Sequence, residues 1–175
     1  MTRRRRRKSR GRKRHSLRST EVDEGKRALA AALRILTRRD MSSAELSRRV
    51  TGRGFSEALA AETVARLQEM GYLDDRRFAR LWAESAIRNG RGFGPRLRLE
   101  LARQRVPDEI AAEVLASLSA EYDESDTLAT LLARKFTGFN PSSATDREKR
   151  RVVQYLQRRG FSIAAIFEAF RNKSG

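Results

Sequence analysis

The chain has 175 residues, 39 Lys plus Arg against 22 Asp plus Glu, a formal net charge of +17, no cysteine and one histidine, His15. These counts exclude a disulfide framework, a zinc site built on Cys and His, and a cysteine nucleophile, and they leave no His on a rigid scaffold to activate a serine. No apolar run approaches the ~20 residues that cross a bilayer, and no apolar segment follows the basic start, so neither a membrane span nor a secretory signal is expected. The lack of cysteine agrees with a cytoplasmic setting.

Residues 1–20 hold eleven of the basic residues and no acid, which leaves +6 for the other 155 positions. Residues 1–24 read as a disordered tail, because one Leu and one Val cannot bury enough apolar surface to offset ordering entropy. Arg3, Arg4, Arg5, Arg6, Arg7, Lys8, Arg10, Arg12, Lys13 and Arg14 are candidate phosphate contacts. A solubilising arm is the competing reading.

From Gly25 onward the periodicity is helical. Leu29, Leu33 and Leu36 share a face, Ser42-Ser43-Ala44-Glu45 forms a capping box, and Leu46 and Val50 mark the buried side of the next helix. Gly54 suits a left-handed C′ position, and Ser56 caps a third helix with Leu59, Val64 and Leu67, ending at Gly71. The pattern then repeats. Phe78, Leu81, Trp82 and Ala86 open a second unit, Gly90 to Gly94 is its turn, and Leu97 and Leu101 stand for Leu46 and Val50. Leu128, Leu131, Leu132 and Phe136 open a third, with a second capping box at Thr145-Asp146-Arg147-Glu148 and a buried pair at Val152 and Leu156. Arg159-Gly160-Phe161-Ser162 restates Arg53-Gly54-Phe55-Ser56, and Phe161 can staple onto Ile166. No stretch alternates as a half-buried strand would. The expected fold is all-α: three tandem three-helix modules at 25–71, 72–121 and 122–175, stacked as a short, elongated, curved solenoid.

Several residues invite a functional reading. The middle helices are rich in cations: Arg48, Arg49 and Arg53, then Arg96, Arg98 and Arg103, then Arg147, Lys149, Arg150, Arg151, Arg158 and Arg159. They form a candidate surface for an acidic protein face, DNA or both; a solvated face balanced by nearby Glu is the alternative. Gly90-Arg91-Gly92-Phe93-Gly94 resembles a phosphate loop only superficially, since no strand precedes it and no Gly-Lys-Ser/Thr follows, so a turn is the better reading. Arg91 and Arg96 are still placed to grip an anion, and Phe93 has no periodic partner, making it a candidate exposed contact. Asp74 and Asp75 read as a helix cap and first-turn charge rather than a metal or acid/base pair. Tyr72, Phe78, Trp82, Phe136 and Phe170 lie at core spacing, so packing is preferred to base stacking.

Gly71-Tyr72-Leu73-Asp74-Asp75-Arg76-Arg77-Phe78-Ala79 resembles the hallmark of the RecX family, regulators of the RecA recombinase. Ser43-Ala44-Glu45-Leu46 before it, then Leu97, Glu100 and Leu101, Lys135-Phe136 and Arg158-Arg159-Gly160-Phe161-Ser162 after it, agree in order and spacing over about residues 26–171. The resemblance implies three-helix modules lying in the groove of the RecA filament and a protein that lowers its ATPase, strand-exchange and coprotease activities. It implies no enzyme and no cofactor. The expected partners are the RecA filament and single- or double-stranded DNA, met by a monomer. In this reading Gly71, Tyr72, Leu73, Asp74, Asp75 and Phe78 are mainly structural. Two departures stand out: the arginine-rich tail lies outside the family pattern, and Arg105 occupies a position where the family usually has glycine. A helical nucleic-acid-binding protein without a recombinase partner is the rival function.

Overall fold

Short polar caps and left-handed turns divide this chain into helices of nine to twenty-eight residues. The computed structural model describes residues 9–173, with side chains from residue 22 onward, and among these residues there are nine α-helices and no strand. The all-α reading therefore holds. The helices are α1 (Ser9–Leu36), α2 (Ser43–Thr51), α3 (Glu57–Glu69), α4 (Asp75–Arg88), α5 (Pro95–Arg103), α6 (Asp108–Glu121), α7 (Glu124–Lys135), α8 (Asp146–Arg158) and α9 (Ile163–Asn172). They fall into two compact units, residues 1–74 and 75–175.

The first unit is α1 to α3. Its buried side chains include Ala32, Ile35, Met41, Leu46, Val50, Ala60, Leu67 and Leu73. Ala28, Ala32 and Ile35 form the most buried line of α1, and Leu29, Leu33 and Leu36 flank it. The small alanines let neighbouring helices approach closely, so the leucines close the sides of the core rather than its centre. Residue 25, expected as a boundary, lies inside α1, so the tail expected over residues 1–24 is helical from Ser9. No proline interrupts this stretch, and a helix anchored by Ala28 to Ile35 propagates at little cost per added residue. Residues 1–8, and with them Arg3 to Arg7 and Lys8, lie outside the described residues, as do the side chains of Arg10, Arg12, Lys13 and Arg14.

The second unit holds two three-helix cores. In α4 to α6 the buried set is Ala79, Ala83, Ala86, Ile87, Leu97, Leu101, Val106, Ala111, Val114 and Leu118. In α7 to α9 it is Leu128, Leu131, Leu132, Val152, Leu156, Phe161, Ala165, Ile166 and Phe170. Leu81, expected on the buried face of α4, is 52% exposed; the alanine face of that helix carries the packing instead. Tyr72, expected in the core, is also exposed, because Leu73 turns inward beside it.

The caps follow the local sequence. Ser42, Ser56 and Ser162 each accept the backbone N–H three residues on, at 3.2 Å. Thr145 and Glu148 complete a reciprocal capping box at the start of α8. The middle helices of the second unit end alike. Val106 N–H reaches Leu101 C=O and Arg105 N–H reaches Ala102 C=O, and Phe161 and Gly160 repeat the pair on Leu156 and Gln157. That is a Schellman motif, and its C′ residue takes a positive φ. Gly54, Arg105 and Gly160 hold equivalent places with φ of 94°, 61° and 92°. Arg105 thus adopts the glycine conformation without being glycine.

Candidate polymer-binding surface

The middle helices carry the arginines, but their surroundings differ. On α2, Glu45 lies at i−3 and i−4 to Arg48 and Arg49, one helical turn away. Its carboxylate accepts from Arg49 Nε at 2.6 Å and from Arg48 Nη2 at 3.1 Å, and Arg39 stands 3.6 Å off. Burial pushes the Glu45 carboxyl up, but the hydrogen bonds from Arg49 and Arg48 outweigh it and hold it below the usual carboxylate range. Arg53 donates to Ala31 C=O at 3.2 Å.

On α5, Glu100 pairs with Arg96 and, at 2.7 Å, with Arg103. Arg98 reaches across to α6 and donates to Asp108 at 2.9 Å, and this hydrogen bond lowers the Asp108 carboxyl pKa. Arg91 lies over the Trp82 ring, 5.8 Å from its centroid, and donates to Ser85 Oγ. The arginines of these two middle helices are thus ion-paired, with Glu45 and Glu100 on the same helix or with Asp108 on α6.

The helix α8 is different. Val152 and Leu156 are buried, while Arg147, Arg150, Arg151, Gln154 and Arg158 are exposed. At 100° per residue these five fall within about 100° of arc, opposite the buried pair. Among the described residues, Arg147, Arg150, Arg151 and Arg158 have no ion pair or side-chain hydrogen bond. Glu148, the acid inside the run, is occupied: its Oε2 accepts from the Thr145 backbone N–H and hydroxyl, each at 2.8 Å, which lowers its pKa. Lys149 is half-buried on the other side of the helix. Arg159 is spent inside the unit, donating to Arg91 C=O at 2.9 Å and lying over the Tyr155 ring.

Phe93 is not the exposed contact that its isolated position suggests. Its ring packs against both cores of the second unit and stacks on Phe161. Helical periodicity does not encode this contact, because the partner lies in another module. Gly71 takes φ 75° at a Schellman end, with Tyr72 N–H on Leu67 C=O at 2.9 Å. Leu73 is buried, Asp75 is a buried first residue of α4, and Phe78 packs on the core. Asp74 stands immediately before α4, where a capping residue would be, and is exposed. Among the described residues no group of three or more His, Cys, Asp or Glu is placed to hold a metal ion. None of their helices is long and apolar enough to cross a membrane.

Comparison with known proteins matches all three modules to one family. Three family models match in order: the first RecX three-helix domain over residues 28–67, the second over 74–115 and the third over 121–170. The chain is 38% identical over 143 residues to regulatory protein RecX of Syntrophotalea carbinolica, covering 82% of this chain and 94% of that protein. It is 38% identical over 148 residues to regulatory protein RecX of Thermus thermophilus, covering 84% and 92%. In fold it is similar to the crystal structure of RecX from Lactobacillus salivarius, at a TM-score of 0.68 and 19% identity over 86% of this chain and 97% of that one. Three domains in the family's order, and relatives of this identity over most of both chains, place the protein in the RecX family of regulatory proteins.

Proposed function

We propose that this protein is a non-enzymatic regulator of the RecA recombinase. It binds RecA–DNA filaments and lowers their ATPase, strand-exchange and coprotease activities, acting as a cytoplasmic monomer. The ordered match of all three family domains is the observation that carries this reading. DNA is included among its contacts because Arg147, Arg150, Arg151 and Arg158 of α8 are exposed and make no ion pair among the described residues.

Titration into RecA on single-stranded DNA tests it. ATP hydrolysis should fall at well under one molecule of this protein per RecA protomer. Inhibition that appears only near full coverage of the DNA would instead mark a nucleic-acid-binding protein without a recombinase partner.

A further inference from the structure

We infer that, among the described residues, the outward face of α8 grips nucleic acid: it binds a phosphate backbone through Arg147, Arg150, Arg151 and Arg158, while the arginines of α2 and α5 are held in ion pairs. The inference rests on the filament-binding reading only for the kind of polymer met.

The contrast between repeats is the starting point. The three middle helices occupy equivalent places, yet Arg48 and Arg49 are ion-paired with Glu45, Arg96 and Arg103 with Glu100, and Arg98 with Asp108. In the third repeat Glu148 stands at the N3 position and is consumed by the capping box, and Asp146, at the first position of the helix, makes no ion pair, so the cations downstream stay unpaired among the described residues. An arginine already forked onto a carboxylate must break that pair to take a phosphate. A free one gives up only water and a condensed counterion, and release of that counterion adds to affinity.

The stripe also has the makeup of a backbone reader. Its one uncharged member, Gln154, is a hydrogen-bond donor suited to phosphate or sugar oxygens. Stable protein–protein contacts are centred on aromatic or aliphatic anchors with charge pushed to the rim. None of the five residues on this face is apolar. From Arg147 to Arg158 the stripe runs about 16 Å, roughly five base steps at ~3.4 Å each, long enough to reach several phosphates of one strand. A row of exposed guanidinium groups with no aromatic side chain among them to stack on a base predicts binding dominated by the charge of the backbone and largely indifferent to sequence.

The test uses the full chain and bare single-stranded DNA, with no RecA present. Two double variants remove the same charge from the second unit: Arg150→Gln with Arg151→Gln on α8, and Arg98→Gln with Arg103→Gln on α5. Each lost phosphate contact reduces the slope of log affinity against log salt by about 0.7. Raising salt from about 50 to 200 mM should therefore cost the α8 variant about seven-fold less affinity than it costs the parent, while the α5 variant follows the parent. Restoring the α8 charges as Arg150→Lys with Arg151→Lys should return most of the slope, since a phosphate accepts a point charge.

Equal slope changes in both doubles would reduce the effect to net charge and overturn the inference. So would a parental slope in the α8 double. If that double keeps its slope on DNA but loses inhibition of RecA ATP hydrolysis, the stripe meets an acidic protein face instead. Because no recombinase enters the binding assay, its failure is separate from failure of the ATPase titration with the parent chain.

Discussion

Phe93 and Phe161 stack with ring centroids 5.4 Å apart and planes within 8° of parallel. One ring comes from the turn between α4 and α5, the other from the turn between α8 and α9. Around them Phe93 N–H donates to Arg159 C=O at 2.8 Å, and Arg134 donates to the Arg88 and Asn89 carbonyls that end α4. These contacts make two modules one unit. Truncating the buried Phe161 to Ala should cost about 3–5 kcal/mol in urea unfolding, and Phe93→Ala less, since that ring is half-buried. A double-mutant cycle should return about 0.5–1.5 kcal/mol of coupling beyond area burial. Zero coupling would mean the rings pack independently.

Gly160 and Gly54 share a role but not an environment. A Cβ at Gly160 would lie 2.1 Å from Phe93 O and 2.7 Å from Arg96 Cβ, whereas one at Gly54 would meet nothing within 4 Å. Both residues have φ above 90°. Gly54→Ala should therefore cost only the left-handed penalty of about 1–2 kcal/mol. Gly160→Ala should cost clearly more, because backbone must move to admit the methyl. Similar denaturation midpoints for the two variants would contradict the close approach.

Arg105 carries the strain that the glycines avoid, with φ 61°. The Arg105→Gly variant should stabilise the protein by about 0.5–1 kcal/mol, the left-handed penalty less the extra entropy glycine gives the unfolded chain. Thermal unfolding reads this directly. A fall in Tm would show that the arginine side chain contributes more than its backbone costs.

Acid should weaken the fold through four carboxylates. The Glu45 pKa is raised by burial but lowered more by Arg49 and Arg48; Arg98 lowers Asp108, Arg80 lowers Glu121, and the Thr145 backbone N–H, then its hydroxyl, lower Glu148. Each binds its proton more weakly folded than unfolded, so the unfolded chain takes up more protons as pH falls. Their stabilisation is complete above the unfolded values of about 3.9–4.3 and is lost as pH drops through the folded ones. Urea midpoints should be flat with respect to these groups near neutrality and fall below about pH 5. Glu45→Gln should be less stable at neutral pH and show a shallower acid limb.

Helices, caps and the threefold repeat could be read directly from residue order, because each depends on contacts within one or two turns. Ser42, Ser56, Thr145 and Ser162 act on backbone three residues away, and Leu46, Leu101 and Leu156 fall on buried faces by period alone. The ion pairing of Arg48, Arg49, Arg96 and Arg103 was legible as well, in the one-turn spacing to Glu45 and Glu100. Other outcomes depended on segments meeting across long stretches of chain. Phe93 became an interior residue because Phe161 arrives from another module, and Arg98 lost its freedom because α6 folds back to bring Asp108 beside it. The exposure of Leu81 followed from which side of α4 the alanines let α6 approach. Local hydrogen bonds and periodicity act at fixed short separations, but packing between distant segments depends on the shapes that fill the shared space, and no spacing rule encodes those shapes.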